Sequence, residues 1–290
     1  MVHVKGVRGA RARAEAVSRR GREWVERQDP GSRPGVAIGA WRRYRAIDGP
    51  LQSALLALYV LVAILPALLV MEAYLDSRPG ALANHLVHHY GLNGMAAGLL
   101  RGVLRQDRVH ELGATLLAVA SALFFGLGFG RVLQLVHARA WQLPLPARQT
   151  DNPLYAAVLV SVYGLLLVLL VQLTELKGSP SWVETTLALG WLGLLVLFFV
   201  WAPWLLTHRL IARRDLLPGA VLTALGLVVL MVVSSYVMGL WVDLYARDYG
   251  GFGVVLAIYF WLAFSSAVIV WAAAISPALA ERRGLRRGHS

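Results

Sequence analysis

Cysteine is absent from the 290 residues, so no disulfide framework, thiolate metal site or thiol nucleophile can be built. Charge is scarce too. Only 15% of residues are Asp, Glu, Lys or Arg, while 58% are hydrophobic; an ordinary soluble domain carries about 25% charged residues. The charges that exist fall in clusters separated by long uncharged runs, the distribution expected where lipid is the solvent. That pattern excludes a single soluble domain, which would interleave charge with its core-forming residues. No signal-peptide pattern is legible in residues 1–49, which hold twelve Lys or Arg and no apolar core. Insertion is therefore expected to use an internal helix.

Crossing the hydrocarbon core takes about 20 apolar residues in a helix. Six windows free of charge approach or exceed that length, with 23, 19, 23, 24, 27 and 32 residues between the bounding charges. They lie between Asp48 and Glu72, Glu111 and Arg131, Asp151 and Glu175, Glu184 and Arg209, Asp215 and Asp243, and Asp248 and Glu281. A helix satisfies its own backbone hydrogen bonds in lipid, so each window reads as helix. The expected fold is all-α: a polytopic membrane bundle of about six spans, at about 51–71, 112–130, 153–174, 185–207, 216–242 and 249–275. Residues 79–100 are also uncharged, but they contain Asn84, His85, His88, His89, Asn93 and four glycines. That window reads as an interfacial or partly re-entrant helical segment within an extracytoplasmic stretch, residues 76–110.

Orientation follows from the basic residues. With the N-terminus inside, the arm, residues 131–151, residues 208–215 and the tail hold 22 Lys or Arg, and the opposite side holds 6. This asymmetry places both termini in the cytoplasm. It also accounts for the net charge of +12. Residues 1–48 form a basic arm ending in a juxtamembrane amphipathic segment, 49–280 the membrane domain, and 281–290 a basic tail. Anionic lipid headgroups are the expected partners of arm and tail. Nucleic acid is not expected, because stacking platforms among the basic residues are few: Trp24, Trp41 and Tyr44. A second copy of the chain is a further candidate partner.

Few residues suggest chemistry. His85, His88 and His89 fall at i, i+3 and i+4, so one helix face would carry them, and His110 follows on the same side. A weak metal site could be drawn from these four, but one helix without a second ligand set is equally the polar face of an interfacial helix. No metal and no cofactor are expected. Gly126 and Gly130 have the spacing that lets another helix approach closely. Pro66 and Pro203 remove a backbone donor inside spans and should kink them. Asp215 can cap the fifth span, placing Pro218 in its first turn, where a missing donor costs little. No ionised group lies inside a span away from its ends, which disfavours a charge-coupled pump. No nucleophile–base or paired-carboxylate arrangement is legible, so an enzyme is not expected.

The last third of the chain adds a resemblance. Residues 213–220 read Arg-Arg-Asp-Leu-Leu-Pro-Gly-Ala, and residues 249–262 read Tyr-Gly-Gly-Phe-Gly-Val-Val-Leu-Ala-Ile-Tyr-Phe-Trp-Leu. This resembles the YihY/BrkB family of bacterial inner-membrane proteins, once labelled ribonuclease BN. The matching positions are Pro218 and Gly219, then Tyr249, Gly250 and Gly253, then Trp261, with a looser likeness over residues 40–283 that includes Pro66 and Trp141. The family's Ser and Phe ahead of the first proline are replaced by Ala63, Ile64 and Leu65, and the Asn before the later tryptophan is missing. Physically, Tyr249 suits an interfacial anchor, the glycines a tight turn between the last two spans, and Trp261 a helix–helix contact. The resemblance implies six spans in the bacterial inner membrane. The reading that follows is a protein that moves, or helps to move, an amphiphilic envelope component. A non-transporting assembly protein is the alternative, and a membrane ribonuclease comes last.

Overall fold

A computed structural model describes residues 32–75, 84, 87–88, 97–98, 101–102, 112–144 and 181–287. Among them every regular element is a helix: α1 (Arg33–Ala46), α2 (Gly49–Leu75), α3 (Leu112–Ala140), α4 (Ser181–Leu206), α5 (Arg213–Gly250) and α6 (Phe252–Arg282). Three of these, α4 to α6, are long and apolar enough to cross a membrane. The bent pair of α1 and α2 makes a fourth if it is counted as one span. The protein is an all-helical membrane bundle. The expected third span, 153–174, lies outside the described residues.

Local chemistry explains where the helices start and stop. Ser32 caps α1, its Oγ accepting from the Gly35 N–H at 3.0 Å, with Pro34 in the first turn. The chain then bends by 63° into α2 through Asp48, whose φ of 55° is left-handed. Asp tolerates that region because its short side chain crowds the backbone little. Gly49 sits directly beneath the Tyr44 ring, where a Cβ would collide with it. At the end of α3, Gln142 turns left-handed and the Leu143 N–H returns to the Ala138 carbonyl at 2.8 Å. α5 starts at Arg213, so Asp215 lies in its first turn instead of capping it, and Pro218 falls one turn further on. The acidic side chain still suits the positive end of the helix.

α5 gives way to α6 at Gly250 and Gly251. Gly250 has φ 61° and ψ −139°, a conformation that only glycine adopts without strain. Gly253 then tucks against the Tyr245 carbonyl, leaving no room for a Cβ. Tyr249 and Phe252 are exposed at this hairpin. The glycines expected to turn the chain here do so.

The core is apolar and runs through the bundle. Leu56, Leu133, Val136, Phe198, Phe199, Leu206 and Val270 join α2, α3, α4 and α6. Towards the hairpin, Met238, Val242 and Ala246 of α5 meet Val254 and Ala257 of α6. Val87 and Ala97 join that second cluster; most of the polar window 79–100 in which they fall lies outside the described residues. Trp261 packs between helices as its position predicts, touching the cluster of Ala57, Val60 and Leu262. Outward, α4 and α5 expose Leu189, Leu197, Val229, Val232, Tyr236 and Leu240. Lipid tails are as apolar as leucine, so such faces cost nothing in a bilayer.

Candidate functional site: a buried polar layer at the basic end

The ends of the helices that carry most of the described arginines converge. Arg43 of α1 pairs with Glu281 at the end of α6, Nη2 to Oε1 at 2.5 Å. Arg139 of α3 approaches Asp48 at 3.8 Å. Tyr44 stacks on Trp271 of α6 with ring centres 4.9 Å apart, and Trp41 leans on the same indole at 5.7 Å. Tyr44 is buried and Arg43 is engaged within the protein, while Trp41, Arg42 and Arg45 are exposed. These ion pairs are partly exposed and weak on their own. The aromatic stack adds directional packing, so α1 is clamped across this end of the bundle.

Beneath the clamp lies a layer of buried polar side chains. Gln134 is fully buried, donates from Nε2 to the Leu206 carbonyl at 2.8 Å, and accepts from Arg131 Nη1 at 2.7 Å. It thereby satisfies one of the carbonyls that the end of α4 leaves without an intrahelical donor. Thr207 Oγ1 donates to the Pro203 carbonyl at 2.7 Å. Pro203 itself is buried inside α4, which continues past it to Leu206. Ser276 of α6 donates to the Asp215 carbonyl of α5 at 2.8 Å, and Thr223 to the Gly219 carbonyl at 2.9 Å. Gly219 permits the contact: a Cβ there would stand 2.9 Å from Ser276 Cβ and 3.1 Å from the Ala272 carbonyl.

His137 completes the layer. It lies two turns beyond residue 130, on the extension of α3 past the uncharged window, and its ring is buried. Nδ1 is 2.9 Å from the Leu133 carbonyl; a carbonyl only accepts, so this nitrogen carries the hydrogen. The other ring nitrogen, Nε2, then offers a lone pair in the neutral imidazole.

A small cavity opens among His137, Thr223, Ser276, Gly219, Phe199 and Ile269. Its interior has room for about one water molecule. Both hydroxyl hydrogens and the Nδ1 hydrogen are already spent on backbone carbonyls, so the polar groups left for the cavity are lone pairs. It suits a hydrogen-bond donor and repels an anion. His137, Gln134, Thr223 and Ser276 were not singled out by sequence. The charge at Arg131 ends the uncharged window, yet the apolar spacing of Val132, Leu133, Val136 and Ala140 carries the helix on.

The sequence-predicted residues divide. Gly219 is at the cavity, and Asp215 is linked to it through its carbonyl. Gly126 and Gly130 are buried in α3, and between them Gly128 meets α2, where a Cβ would collide with the Tyr59 ring. Pro66 lies within α2. Tyr249, Gly250, Gly253 and Trp261 belong to the far half of the α5–α6 pair. His88 is exposed, while His85, His89 and His110 lie outside the described residues. Among the described residues no group of three His, Asp or Glu side chains comes together.

No curated protein and no solved structure shows significant similarity to the chain. A family model described as Virulence factor BrkB matches residues 40–290, from the middle of α1 through every helix that builds the layer. The chain therefore belongs to the BrkB family of membrane proteins.

Proposed function

We propose that the protein resides in the bacterial inner membrane with its basic end in the cytoplasm, and that it moves, or helps to move, an amphiphilic envelope component. The observation that carries this reading is the uncharged polar layer of His137, Thr223 and Ser276, buried where α3, α5 and α6 meet. The hydrogens of these groups are satisfied by backbone carbonyls, and their remaining lone pairs are free to meet a donor. Lone pairs directed at a common cavity fit the hydroxyl or ammonium group of an amphiphile's head. A neutral layer also agrees with spans that carry no ionised group for ion coupling. Because the cavity admits about one water, passage of a headgroup requires α5 and α6 to part where Gly219 meets Ser276. Protein reconstituted in vesicles should accelerate the transbilayer movement of a labelled lipid or small amphiphile, and Ser276→Val should slow it. Wild-type protein that moves none of the probes would overturn the reading.

A second reading has its own observation. The clamp of α1 on α6, through Arg43–Glu281 and the Trp41, Tyr44 and Trp271 rings, is the construction expected of a rigid platform for an assembly partner. Under it, deleting residues 1–31 would abolish a stable complex without affecting lipid movement. Recovery of no partner through the arm or tail would remove this alternative.

A further inference from the structure

The corner between α4 and α5 carries a charge arrangement that neither the buried layer nor the clamp uses. Trp204, two residues before the end of α4, has two guanidinium groups against its indole: Arg213 at 3.9 Å and Arg209 at 4.7 Å from the ring centre. The backbone enforces this. His208 and Arg209 are consecutive left-handed residues, with φ 56° and 63°, and neither is glycine. The Arg209 N–H returns to the Trp204 carbonyl at 2.9 Å, which folds Arg209 back over the residue it stacks on. Arg213 comes from the first turn of α5 on the other side of the corner.

Two like charges on one ring repel each other, and among the described residues neither guanidinium has a carboxylate partner. Asp215, close in sequence, forms no ion pair there. Both arginines are exposed, and a guanidinium lying on an aromatic face keeps its N–H edge available. The surroundings are apolar: Leu210 is 60% exposed and Leu217, one turn after Arg213, is 46% exposed. Exposed leucines beside stacked arginines, at the point where an apolar helix ends, match the boundary between acyl chains and headgroups.

We propose that this corner is a binding site for an anionic membrane lipid, with Arg209 and Arg213 holding its phosphate and Trp204 as their platform. The phosphate supplies the missing counter-charge, and two planar donors grip it better than two ammonium groups could. The leucines meet the acyl chains. The site differs from the general basic affinity of the arm and tail, because its arginines are fixed by backbone and ring. It does not depend on whether the protein transports anything.

The test uses the full chain purified in a neutral detergent. It is titrated with short-chain phosphatidylglycerol, short-chain phosphatidylcholine and inorganic phosphate, and bound adducts are counted by native mass spectrometry. Phosphatidylglycerol should bind about ten-fold or more tighter than phosphatidylcholine, and R209Q/R213Q should lose about that factor. The tail variant R286Q/R287Q should change binding by less than about two-fold, since an exposed flexible charge contributes little. R209K/R213K keeps the charge and guards against a failure to fold; it should fall between wild type and the glutamine pair. Unchanged binding by R209Q/R213Q, or wild-type binding by R209K/R213K, would overturn the site. Inorganic phosphate displacing the lipid at equal concentration would overturn the lipid assignment.

Discussion

Gln134 on α3 donates a hydrogen bond from its side-chain amide to the main-chain carbonyl of Leu206, 72 residues later, at 2.8 Å and fully buried. The bond ties the end of one membrane helix to the flank of another at a point where α4 has run out of its own donors. It is also the residue through which Arg131 is held, so one side chain serves two neighbours.

Gln134→Leu should therefore destabilise the protein by about 1–3 kcal/mol, the usual consequence of stranding a buried carbonyl. Thermal unfolding in detergent would show it as a lower midpoint. An unchanged midpoint would mean that the Leu206 carbonyl finds another donor.

Gly250→Ala puts a Cβ at φ 61° and ψ −139°, where it is strained whatever the space around it. The expected cost is on the order of 1–3 kcal/mol. A variant as stable as wild type would indicate that the hairpin turns elsewhere.

The old nuclease label yields a simple negative expectation. Purified protein with added divalent metal should leave RNA intact. Cutting that disappears in H85A/H88A/H89A would instead establish a catalytic metal site on the hairpin side.

The helices α4, α5 and α6 were legible because each needs only a long uncharged run, and the hairpin because glycines cluster where the chain must turn. The polar layer was not. Recognising it requires knowing that α3 continues past Arg131 and that Gly219, marked in sequence only by the family resemblance, faces Ser276. Gly128 shows the same limit, since only the Tyr59 ring of α2 makes it a close approach. Likewise the arginines near Trp204 counted as topology signals, and only the left-handed corner reveals that two of them share one ring.

The one-residue connection at the far end has a consequence for biogenesis. Only Gly251 separates α5 from α6 as apolar spans, so there is no slack to leave one in the bilayer while the other waits outside. With the basic end in the cytoplasm, as proposed, the two enter as a helical hairpin, and the charged group around Asp243, Arg247 and Asp248 is the cargo carried through the hydrocarbon layer with them. Lengthening this connection would relieve that coupling and let the two helices insert one after the other.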